Sequence, residues 1–494
     1  MPIRIIALLL WITGLISAQA LAEPVVTIQD AVKHAIESNP EVQARWHVFQ
    51  ASLYEQGVAR AGYFPRVDLN TGVGRERLTL PHQPTQDYTR RGAILSLTQM
   101  LFDGFATRDE VARLGYTKLS RYYEVLDMSE STALEASRAY LDVLRYRELS
   151  RLAQENLAQH DQLFKQIEQR VLAGVGRRVD FEQAGGRLAL AQSNILTEAS
   201  NLHDVSARYQ RVVGTLPPGE MIAPALLKQG IPPNVEEALK LAYQGNPAFN
   251  AAIESIRAAQ ADAHARQANF MPRVDLRART EVGYNDNGII GRRDTDVVEV
   301  VLNYNLFRGG ADQALVRQYA ERLSQAQDLR DKSCRDIRQT LEIAFNDIQN
   351  LSRQLGFLDQ HQLSIEKARE AYRKQFDIGQ RTLLDLLDTE NEYFQARRAY
   401  VNATFEHAIA HMRTLAGMGK LLPALKVARD GMPTLNELGQ DRFEVDADSQ
   451  CPAVAPMVSI NYADTTPRIS TPALLTSPKP VPVAPLKPQP QPSK

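Results

Sequence analysis

The chain has 494 residues, of which 44% are hydrophobic and 23% charged, a composition ordinary for folded protein and sufficient for several domains. Its formal net charge is −1, which gives no indication of nucleic-acid binding. After the N-terminal segment, no apolar run approaches the about 20 residues that a membrane-spanning helix requires. The sequence therefore does not predict such a helix.

Residues 1–22 predict a secretory signal peptide. Arg4 precedes the apolar run "IIALLLWITGLI", and the small residues Ala20 and Ala22 precede a cleavage site after Ala22. The alternative, a retained anchor helix, is disfavoured because the apolar run is too short. No cysteine follows the cleavage site directly, so no lipid attachment is expected there.

Two cysteines, Cys334 and Cys451, remain in a chain that is expected to enter an oxidising compartment. A disulfide between them would hold the C-terminal segment against a helix. Both the bonded and the free state stay open at this point, because sequence alone gives no distance between the two residues.

The chain contains two copies of a unit of about 180 residues. "FPRVDLN" at residues 64–70 recurs as "MPRVDLR" at residues 271–277, and "LFDG" at residues 101–104 recurs as "LFRG" at residues 306–309. Further landmarks recur at an offset of 205 residues: Gly174, Asp180 and Gly214 match Gly379, Asp385 and Gly419. A fixed long period of this kind indicates a duplicated architecture.

Each copy is predicted to contain an opening helix, a β-hairpin, a long helix and a returning helix. No proline occurs between Pro84 and Pro217 or between Pro272 and Pro423, and proline costs about 3 kcal/mol inside a helix. A continuous helix over each long tract would reach about 100 Å, a length typical of coiled coils and helical tubes.

The predicted boundaries follow these landmarks. The first repeat is 23–216, with an opening helix at 27–62, a β-hairpin at about 66–101, a long helix at 104–172 and a returning helix at 180–214. The second repeat is 235–419, with the corresponding elements at 235–270, about 273–306, 309–378 and 382–419. A linker at 217–234, an irregular segment at 420–463 and a disordered proline-rich tail at 464–494 complete the chain.

The hairpins alternate with period two. In "RVDLRARTEVGY", Val274, Leu276 and Ala278 alternate with charged residues, and returning strands are predicted near 93–101 and 296–306. Strands of about 10 residues with one apolar and one charged face are typical of a transmembrane β-barrel. A soluble hairpin with one solvent-exposed face would show the same alternation of apolar and charged residues, but it does not explain why helices of such length flank each hairpin.

Four strands cannot close a barrel, and open edges are not tolerated in lipid, so the barrel must be shared between subunits. A trimer would supply twelve strands. Pro65 and Pro272 are predicted to end the opening helices, because the residue before a proline is disfavoured in helical conformation. Asp68 and Asp275 are then expected to face a water-filled lumen.

The stretch "GQRTLLDLLDTENEYFQARRAYVNA" at residues 379–403, together with the two repeats and the signal peptide, resembles the TolC family of outer-membrane export ducts. The resemblance extends from about Val26 to Leu422. The sequence is most similar to the type I secretion and agglutination branch, and the missing lipid-attachment cysteine distinguishes it from many drug-efflux members.

This resemblance implies a mainly α fold with a small β part. Each chain would contribute four strands to a trimeric twelve-stranded outer-membrane barrel and its helices to a long periplasmic α-helical barrel. The implied partners are two further copies of the chain, outer-membrane lipid, a periplasmic adaptor, an inner-membrane transporter, with the ABC type favoured, and a secreted protein such as a large adhesin. The linker and residues 420–463 would form an equatorial belt around the tunnel.

The resemblance places a gate where the returning helices begin. Asp385 and Asp388 are three residues apart and share a helix face, so a trimer would gather six carboxylates into a ring that attracts cations. Like charges at close range also raise one another's pKa. Asp385 has a second interpretation, a capping box with Thr382, and both can hold. The first repeat has Gln183 in place of Asp388, so the ring would come from the second repeat alone.

The resemblance also implies a bridge from Arg381 to the region of Asp180, which would hold the inner helices closed. The alternative for Asp180 is an N-cap or first-turn role. A tyrosine of the family pattern, five residues before the arginine, is replaced by Phe376, which cannot donate a hydrogen bond. Closure would then depend more on Arg381, Arg177 and Arg178.

The turns are expected to dock the adaptor. This role is assigned to Gly174, Gly176, Gly379, Thr382, Leu383 and Leu384, the two leucines as exposed apolar contacts. For the glycines, tight-turn geometry alone is the alternative.

Signs of catalysis are absent from the sequence. His407 and His411 are one helical turn apart, but no third metal ligand is evident, which favours a packed or solvated face. No nucleophile motif, phosphate-binding loop or zinc spacing occurs, so neither an enzyme nor a cofactor is expected. The remaining alternatives are a drug-efflux duct of the same class and a soluble periplasmic coiled-coil scaffold.

Overall fold

The computed structural model describes residues 26–286, 288–439 and 451. The chain divides into two compact units, and only the first, Met1–Val454, contains described residues. The predicted signal peptide, the predicted tail at 464–494 and most of 440–463 therefore lie outside the described residues.

The opening segment of each repeat is two helices, so the prediction of one continuous helix was wrong. The helices are α1 (Ile28–Ser38) and α2 (Pro40–Arg60) in the first repeat, and α5 (Val235–Gly245) and α6 (Pro247–Gln267) in the second. Asn39 and Asn246 are extended and cap the following helix with their side chains. Proline at the first helical position disfavours helical conformation in the preceding asparagine and is itself preorganised to start a helix.

Four strands form one antiparallel sheet in the order β1-β2-β3-β4. They are β1 (Arg66–Leu78), β2 (Gln86–Phe102), β3 (Arg273–Asp286) and β4 (Ile289–Asn303). With 13 to 17 residues they are longer than predicted, and β2 and β4 begin well before residues 93 and 296. Ion pairs such as Arg75 Nε to Asp87 Oδ1, at 2.7 Å, extend the pairing beyond the apolar stretch. The pairing of β2 with β3 joins the two repeats.

The register aligns one apolar residue from each of the four strands across the sheet. One row consists of Val67, Leu97, Ala278 and Val298, and the adjacent row on the opposite face consists of Arg66, Thr98, Arg277 and Glu299. Val67 and Val298, on the two outer strands, are 60% and 77% exposed. Among the described residues, no further strand pairs with the outer edge of β1 or β4. One chain therefore presents an exposed apolar face and two open edges.

The junctions between helix and strand differ from the prediction. The α-helices end at Arg60 and Gln267, and 3₁₀ turns at Ala61–Tyr63 and Ala268–Phe270 follow. In the first turn the Phe64 N–H donates to the Ala61 carbonyl at 3.0 Å, so the chain tightens before it extends. Pro65 and Pro272 do not end the α-helices; each instead precedes the first residue of a strand.

Both aspartates of the repeated motif are paired with arginine on the charged face of the sheet. Asp68 lies 2.8 Å from Arg66 Nε. Asp275 is buried and accepts from Arg273 Nε at 3.0 Å, with Arg277 Nη2 at 3.5 Å. Their charges are thus largely compensated within the chain. That they face a lumen remains a prediction for the assembled protein.

Two helical hairpins continue from the sheet. The first is α3 (Ala106–Leu172) with α4 (Arg178–Val213), and the second is α7 (Ala311–Asp377) with α8 (Leu383–Gly417). Helices α3 and α7 each have 67 residues, which corresponds to about 100 Å. The short helix α9 (Leu421–Leu425) follows α8. No helix in the described part of the chain combines the length and apolar character needed to cross a membrane.

The largest hydrophobic core gathers residues from α1, α3, α4 and the second repeat around the middle of the long helices. Tyr140 of α3 is fully buried there, and its hydroxyl lies within hydrogen-bond distance of the Val26 and Ile222 carbonyls, at 2.7 and 2.8 Å. Cys334 of α7 and Cys451 lie in the same core and are joined by a disulfide, with their Cα atoms 5.9 Å apart. Of the two states left open by the sequence, the structure contains the bonded one.

A buried carboxylate holds the start of α9 against α3. Glu130 accepts from the backbone N–H groups of Leu421 and Leu422 at 3.2 and 3.3 Å. Burial raises the pKa of Glu130 to about 7, although these two hydrogen bonds act in the opposite direction. The folded state therefore binds a proton more tightly than the unfolded chain does.

We expect Glu130→Gln to flatten the stability of the protein between pH 5 and pH 8. Its effect at a single pH is not diagnostic, because both carboxylate oxygens accept a backbone N–H and a glutamine amide nitrogen cannot accept one. In the wild type, protonation of Glu130 stabilises the folded state. This stabilisation is complete at pH values below the pKa that Glu130 has in the unfolded chain, and it is lost as the pH rises through about 7, the pKa in the folded state. The fall in wild-type stability over this range is expected to reach up to about 3 kcal/mol, and the variant should lack it. Thermal unfolding of both proteins, followed by circular dichroism across this range, measures the two pH dependences. A variant whose stability still falls by the wild-type amount would show that Glu130 is not the group that titrates.

Candidate functional site

The turn ends of the two helical hairpins contain most of the residues singled out from the sequence. We call residues 172–179 the first tip and residues 378–385 the second tip. Gly174 and Gly379 have φ values of +74° and +78°, the left-handed conformation that favours glycine at a helix end. A Cβ on Gly176 would lie 2.9 Å from the Val171 backbone nitrogen. The geometry of the turns therefore explains all three glycines, and no docked partner protein is needed to account for them.

Asp385 caps α8 at the second tip. The Thr382 backbone N–H donates to Asp385 Oδ2 at 3.2 Å and the Thr382 hydroxyl accepts from the Asp385 N–H at 3.3 Å, which completes a capping box. The Thr382 hydroxyl also donates to Asp385 Oδ2, at 2.8 Å. These hydrogen bonds from Thr382, with a smaller contribution from Arg381, lower the pKa of Asp385. In a single chain the pKa of Asp385 is thus lowered, whereas a ring of like charges in a trimer is expected to raise it.

Asp388 is joined to the other helical hairpin. Its Oδ1 atom lies 2.5 Å from Arg187 Nη2 on α4. Sequence reasoning missed Arg187, which is 201 residues away. A signal was present, because Arg187 follows Gln183 by one helical turn, and Gln183 is the repeat equivalent of Asp388. The first repeat thus places a cation one turn beyond the position where the second repeat has an acid.

The Arg381–Asp180 bridge is not formed within one chain. Arg381 donates to Gln375 Oε1 at 3.1 Å, lies 4.3 Å from the centre of the Tyr372 ring and is 3.9 Å from Asp385, all in the second repeat. Asp180 lies in the first turn of α4, and its carboxylate has no partner in the part of the chain that the structure describes. The N-cap is Arg177, so of the two local roles considered for Asp180, N-cap or first turn, the structure contains the first-turn role.

The arginines of the first tip point into solvent. Arg177 makes no side-chain capping bond, and Arg178 lies 3.9 Å from Glu182. Both residues are exposed. They therefore remain accessible to a neighbouring chain or a partner.

Phe376 and Leu383 are core residues of the tip region. Both belong to a buried cluster, the tip core, made of Leu163, Ile167, Ala184, Phe376, Leu383, Leu386 and Leu387. Arg170 lies over the Phe376 ring at 4.9 Å. The expected exposure of Leu383 was wrong, because Leu383, Leu386 and Leu387 share one helix face that packs inward. Leu384, on the other face, is 48% exposed.

Sequence reasoning identified Leu384 as an exposed apolar contact, which the structure confirms, but missed the rest of an exposed apolar surface at the tips. Its members beside Leu384 are Leu172, Val175, Val179 and Ile378. Leu172 and Val175 are 82% and 80% exposed. Exposed apolar residues grouped in this way are typical of surfaces that bind another protein. The signal in the sequence was the apolar content of the glycine turn "VLAGVGRRV".

His407 and His411 pack against each other. Their ring centres are 4.5 Å apart, and His411 Nδ1 lies 2.9 Å from the His407 carbonyl oxygen. Burial lowers the pKa of both rings. Among the described residues, no group of three or more His, Cys, Asp or Glu side chains is arranged to hold a metal ion.

Comparison with known proteins places these features in a family. Residues 31–215 and 238–416, which correspond to the two repeats, match the family described as Outer membrane efflux protein. The chain belongs to this family. The resemblance to TolC-type ducts noted from the sequence is thereby confirmed, as is the mainly α fold with a small antiparallel sheet.

Individual relatives cover most of the chain. The outer membrane efflux protein BepC of Brucella suis biovar 1 is 25% identical over 417 residues, which is 84% of this chain and 89% of BepC. The alkaline protease secretion protein AprF of Pseudomonas aeruginosa is 25% identical over 423 residues, 79% of this chain and 84% of AprF. The CmeC outer membrane channel of Campylobacter jejuni has the same fold, with a TM-score of 0.72 and 12% identity over 80% of this chain and 86% of CmeC.

Family membership defines the general role of the protein. It is an outer-membrane channel protein with a large periplasmic helical part, and the family is one of passive ducts rather than enzymes. Channels of this family act as trimers together with a periplasmic adaptor and an inner-membrane transporter.

Proposed function

We propose that the protein is the outer-membrane channel-tunnel of a type I secretion system. It conducts a secreted protein, such as a large adhesin, from an ABC-type transporter and its adaptor to the cell exterior. The observation that carries this proposal is the pair of 67-residue helices continuing from one sheet whose two edges are open. A sheet of this kind closes only when copies are joined, and the helices then extend the closed barrel into a tube. The likeness to AprF supports protein cargo.

Exposed side chains support a closed ring of three chains. Helix α2 exposes Tyr54 and Val58, and helix α7 exposes Ile343 and Phe357. Each chain therefore has apolar residues on the opening helix of one repeat and on the long helix of the other. Joining the α2 side of one chain to the α7 side of the next, and β1 to β4, makes a head-to-tail interface that closes as a ring.

The gate residues are proposed to act in the trimer. Hydrogen bonds from Thr382 lower the pKa of Asp385. The three Asp385 side chains of a trimer would therefore remain ionised near the axis and attract cations. Asp180, Arg177 and Arg178 have the exposure needed for contacts between chains, so an Arg381–Asp180 bridge is proposed between neighbouring subunits.

The tips are proposed to dock the adaptor. The exposed apolar residues Leu172, Val175, Val179, Ile378 and Leu384 supply the contact surface, while Gly174, Gly176, Gly379 and Thr382 fix the turns that present it. Leu383 is assigned to the tip core and has no part in docking.

A second candidate function is drug efflux; the name of BepC, an outer membrane efflux protein, favours efflux over protein secretion. It uses the same duct and differs in the inner-membrane partner. A soluble scaffold no longer competes, because the family resides in the outer membrane.

Comparing a deletion strain with its parent separates the two functions. We expect loss of one large secreted or surface protein, with unchanged drug susceptibility, and recovery of that protein when the gene is returned. Proteomics of culture supernatant and cell surface, beside a drug-susceptibility panel, measures both. Intact secretion with sharply increased drug sensitivity would overturn the secretion proposal and support efflux.

A further inference from the structure

The apolar face of the sheet becomes cationic toward the turns of its two hairpins. Side chains on one face are two residues apart along a strand, so the register shows which of them share the face of Val67 and Val298. Further along the strands, one row on this face consists of Val73, Arg91, Tyr284 and Arg292, and two more arginines follow it on β1. We call the four arginines of this region the outer arginines: Arg75, Arg77, Arg91 and Arg292.

The outer arginines lie at the height of a membrane interface. On β4, Leu302 is the last apolar residue of this face at the helix end, and Arg292 is ten residues away. Ten residues span about 33 Å along a strand and about 25 Å across a bilayer at the usual tilt, which is the height of the apolar band of an outer-membrane barrel. Tyr284, in the arginine row, matches the aromatic residues that flank such a band. Because the long helices are periplasmic, the outer arginines lie at the outer leaflet.

The paired arginines of this group keep hydrogen-bond donors for a further anion. Asp87 lies 2.7 Å from Arg75 Nε and 3.5 Å from Arg77 Nη2, so one carboxylate serves two arginines. Asp294 lies 2.9 Å from Arg292 Nη2. A guanidinium has five N–H groups, and a bidentate carboxylate occupies two of them. The three arginine side chains are exposed, so their remaining N–H groups are accessible from outside the sheet.

Arg91 carries the excess charge of this face. Its Cζ atom lies 4.5 Å from the centre of the Tyr284 ring, and no carboxylate of the described residues lies within ion-pair distance of it. Stacking on tyrosine orients a guanidinium without neutralising its charge. A third aspartate of this face, Asp296, is four residues from Arg292 toward the helices, about 13 Å along the strand and too far to pair with this row.

We propose that the outer arginines bind the phosphate groups of lipopolysaccharide in the outer leaflet. The planar fork of arginine matches phosphate oxygens, and clusters of basic residues at a membrane surface recognise anionic lipid headgroups. The lipid A part of lipopolysaccharide carries phosphates on its sugars, while the apolar residues nearer the helices would contact its acyl chains. A trimer would present three such groups around the barrel. The inference depends on the outer-membrane location of the protein and not on which cargo the duct conducts.

Binding of lipid A to the purified trimer tests the proposal. We expect bisphosphorylated lipid A to bind about tenfold more tightly than dephosphorylated lipid A, because the acyl chains of the two are the same. Arg77→Gln with Arg91→Gln should weaken binding of the bisphosphorylated lipid about tenfold and leave binding of the dephosphorylated lipid unchanged. Arg90→Gln is the matched control, because Arg90 is adjacent in sequence but lies on the opposite face of β2. Native mass spectrometry in detergent measures each affinity.

Two results on the wild type alone would overturn the proposal. One is equal affinity for the two lipids, which apolar contact would explain. The other is binding of the bisphosphorylated lipid that does not weaken when salt rises from about 50 mM to about 500 mM, since exposed charge contacts are screened. Both measurements stand even if the double variant does not assemble. An equal loss of binding in Arg90→Gln would also overturn the proposal, whereas normal secretion by a deletion strain would disprove only the secretion function.

Discussion

Arg187→Asp is expected to raise the open fraction of the purified trimer in planar bilayers. The substitution replaces the ion pair between Arg187 and Asp388, at 2.5 Å, with two like charges across α4 and α8. The side chains are 31% and 55% exposed, so each pair contributes only about 0.5 to 1 kcal/mol. Three such pairs act on one gate, and their combined loss corresponds to an increase of roughly tenfold to a hundredfold in open fraction. Single-channel recording without an adaptor measures it.

The charge-swapped variant, Arg187→Asp with Asp388→Arg, is the control. It restores opposite charges at the same place, so closure should return toward the wild-type level, whereas Asp388→Arg alone should open the gate as Arg187→Asp does. A swap that stays as open as the single variants would indicate that the ion pair does not hold the gate. High salt should reduce the difference, because a partly exposed pair is screened.

Asp385→Ala separates the effect of the carboxylate ring from the effect of the Arg187–Asp388 ion pair between the hairpins. Among the residues that the structure describes, Asp385 pairs only with its own tip, through Thr382 and Arg381, so its removal should reduce cation selectivity and block by multivalent cations. The open fraction should change far less than in Arg187→Asp. The two aspartates, alike in sequence, would then have separate roles.

Local rules were sufficient for much of the fold. The long helices followed from the absence of proline, the strands from alternation, and the tip turns from Gly174 and Gly379, since each depends on residues close in sequence. The break at Asn39 and Asn246 was also a local signal. Each asparagine precedes a proline, and an Asn-Pro pair marks the start of a helix.

The remaining features depend on contacts between distant segments. Leu383 and Leu384 are adjacent and chemically identical, and only the packing of α8 on the tip core decides which one is buried. Asp388 and Arg187 come from different repeats; the repeat alignment places them one helical turn apart, but only the packing of α4 against α8 brings the two side chains into contact. The disulfide likewise depends on where the C-terminal segment meets α7. The repeat determines the order of helices and strands in each half of the chain. The candidate gate depends instead on contacts that are not equivalent in the two repeats.

Removal of the disulfide between Cys334 and Cys451 is expected to destabilise the protein by about 2 to 5 kcal/mol. The bond closes a loop between residues 117 apart, which restricts the unfolded chain, and both cysteines are buried in the main core. The test is Cys334→Ala with Cys451→Ala, because alanine leaves no buried hydroxyl unpaired. Thermal unfolding of trimer in detergent, followed by circular dichroism, should show a lower transition temperature than in the wild type.

Reduction provides the internal control for this prediction. Dithiothreitol should lower the transition temperature of the wild type toward that of the double variant and leave the variant unchanged. Peptide mapping with and without reductant shows whether the bond was present and then broken. A wild-type protein that is fully reduced by this criterion, yet unfolds at its original temperature, would contradict the prediction. It would mean that burial of Cys451 beside Cys334, and not the covalent bond, holds the C-terminal segment on α7.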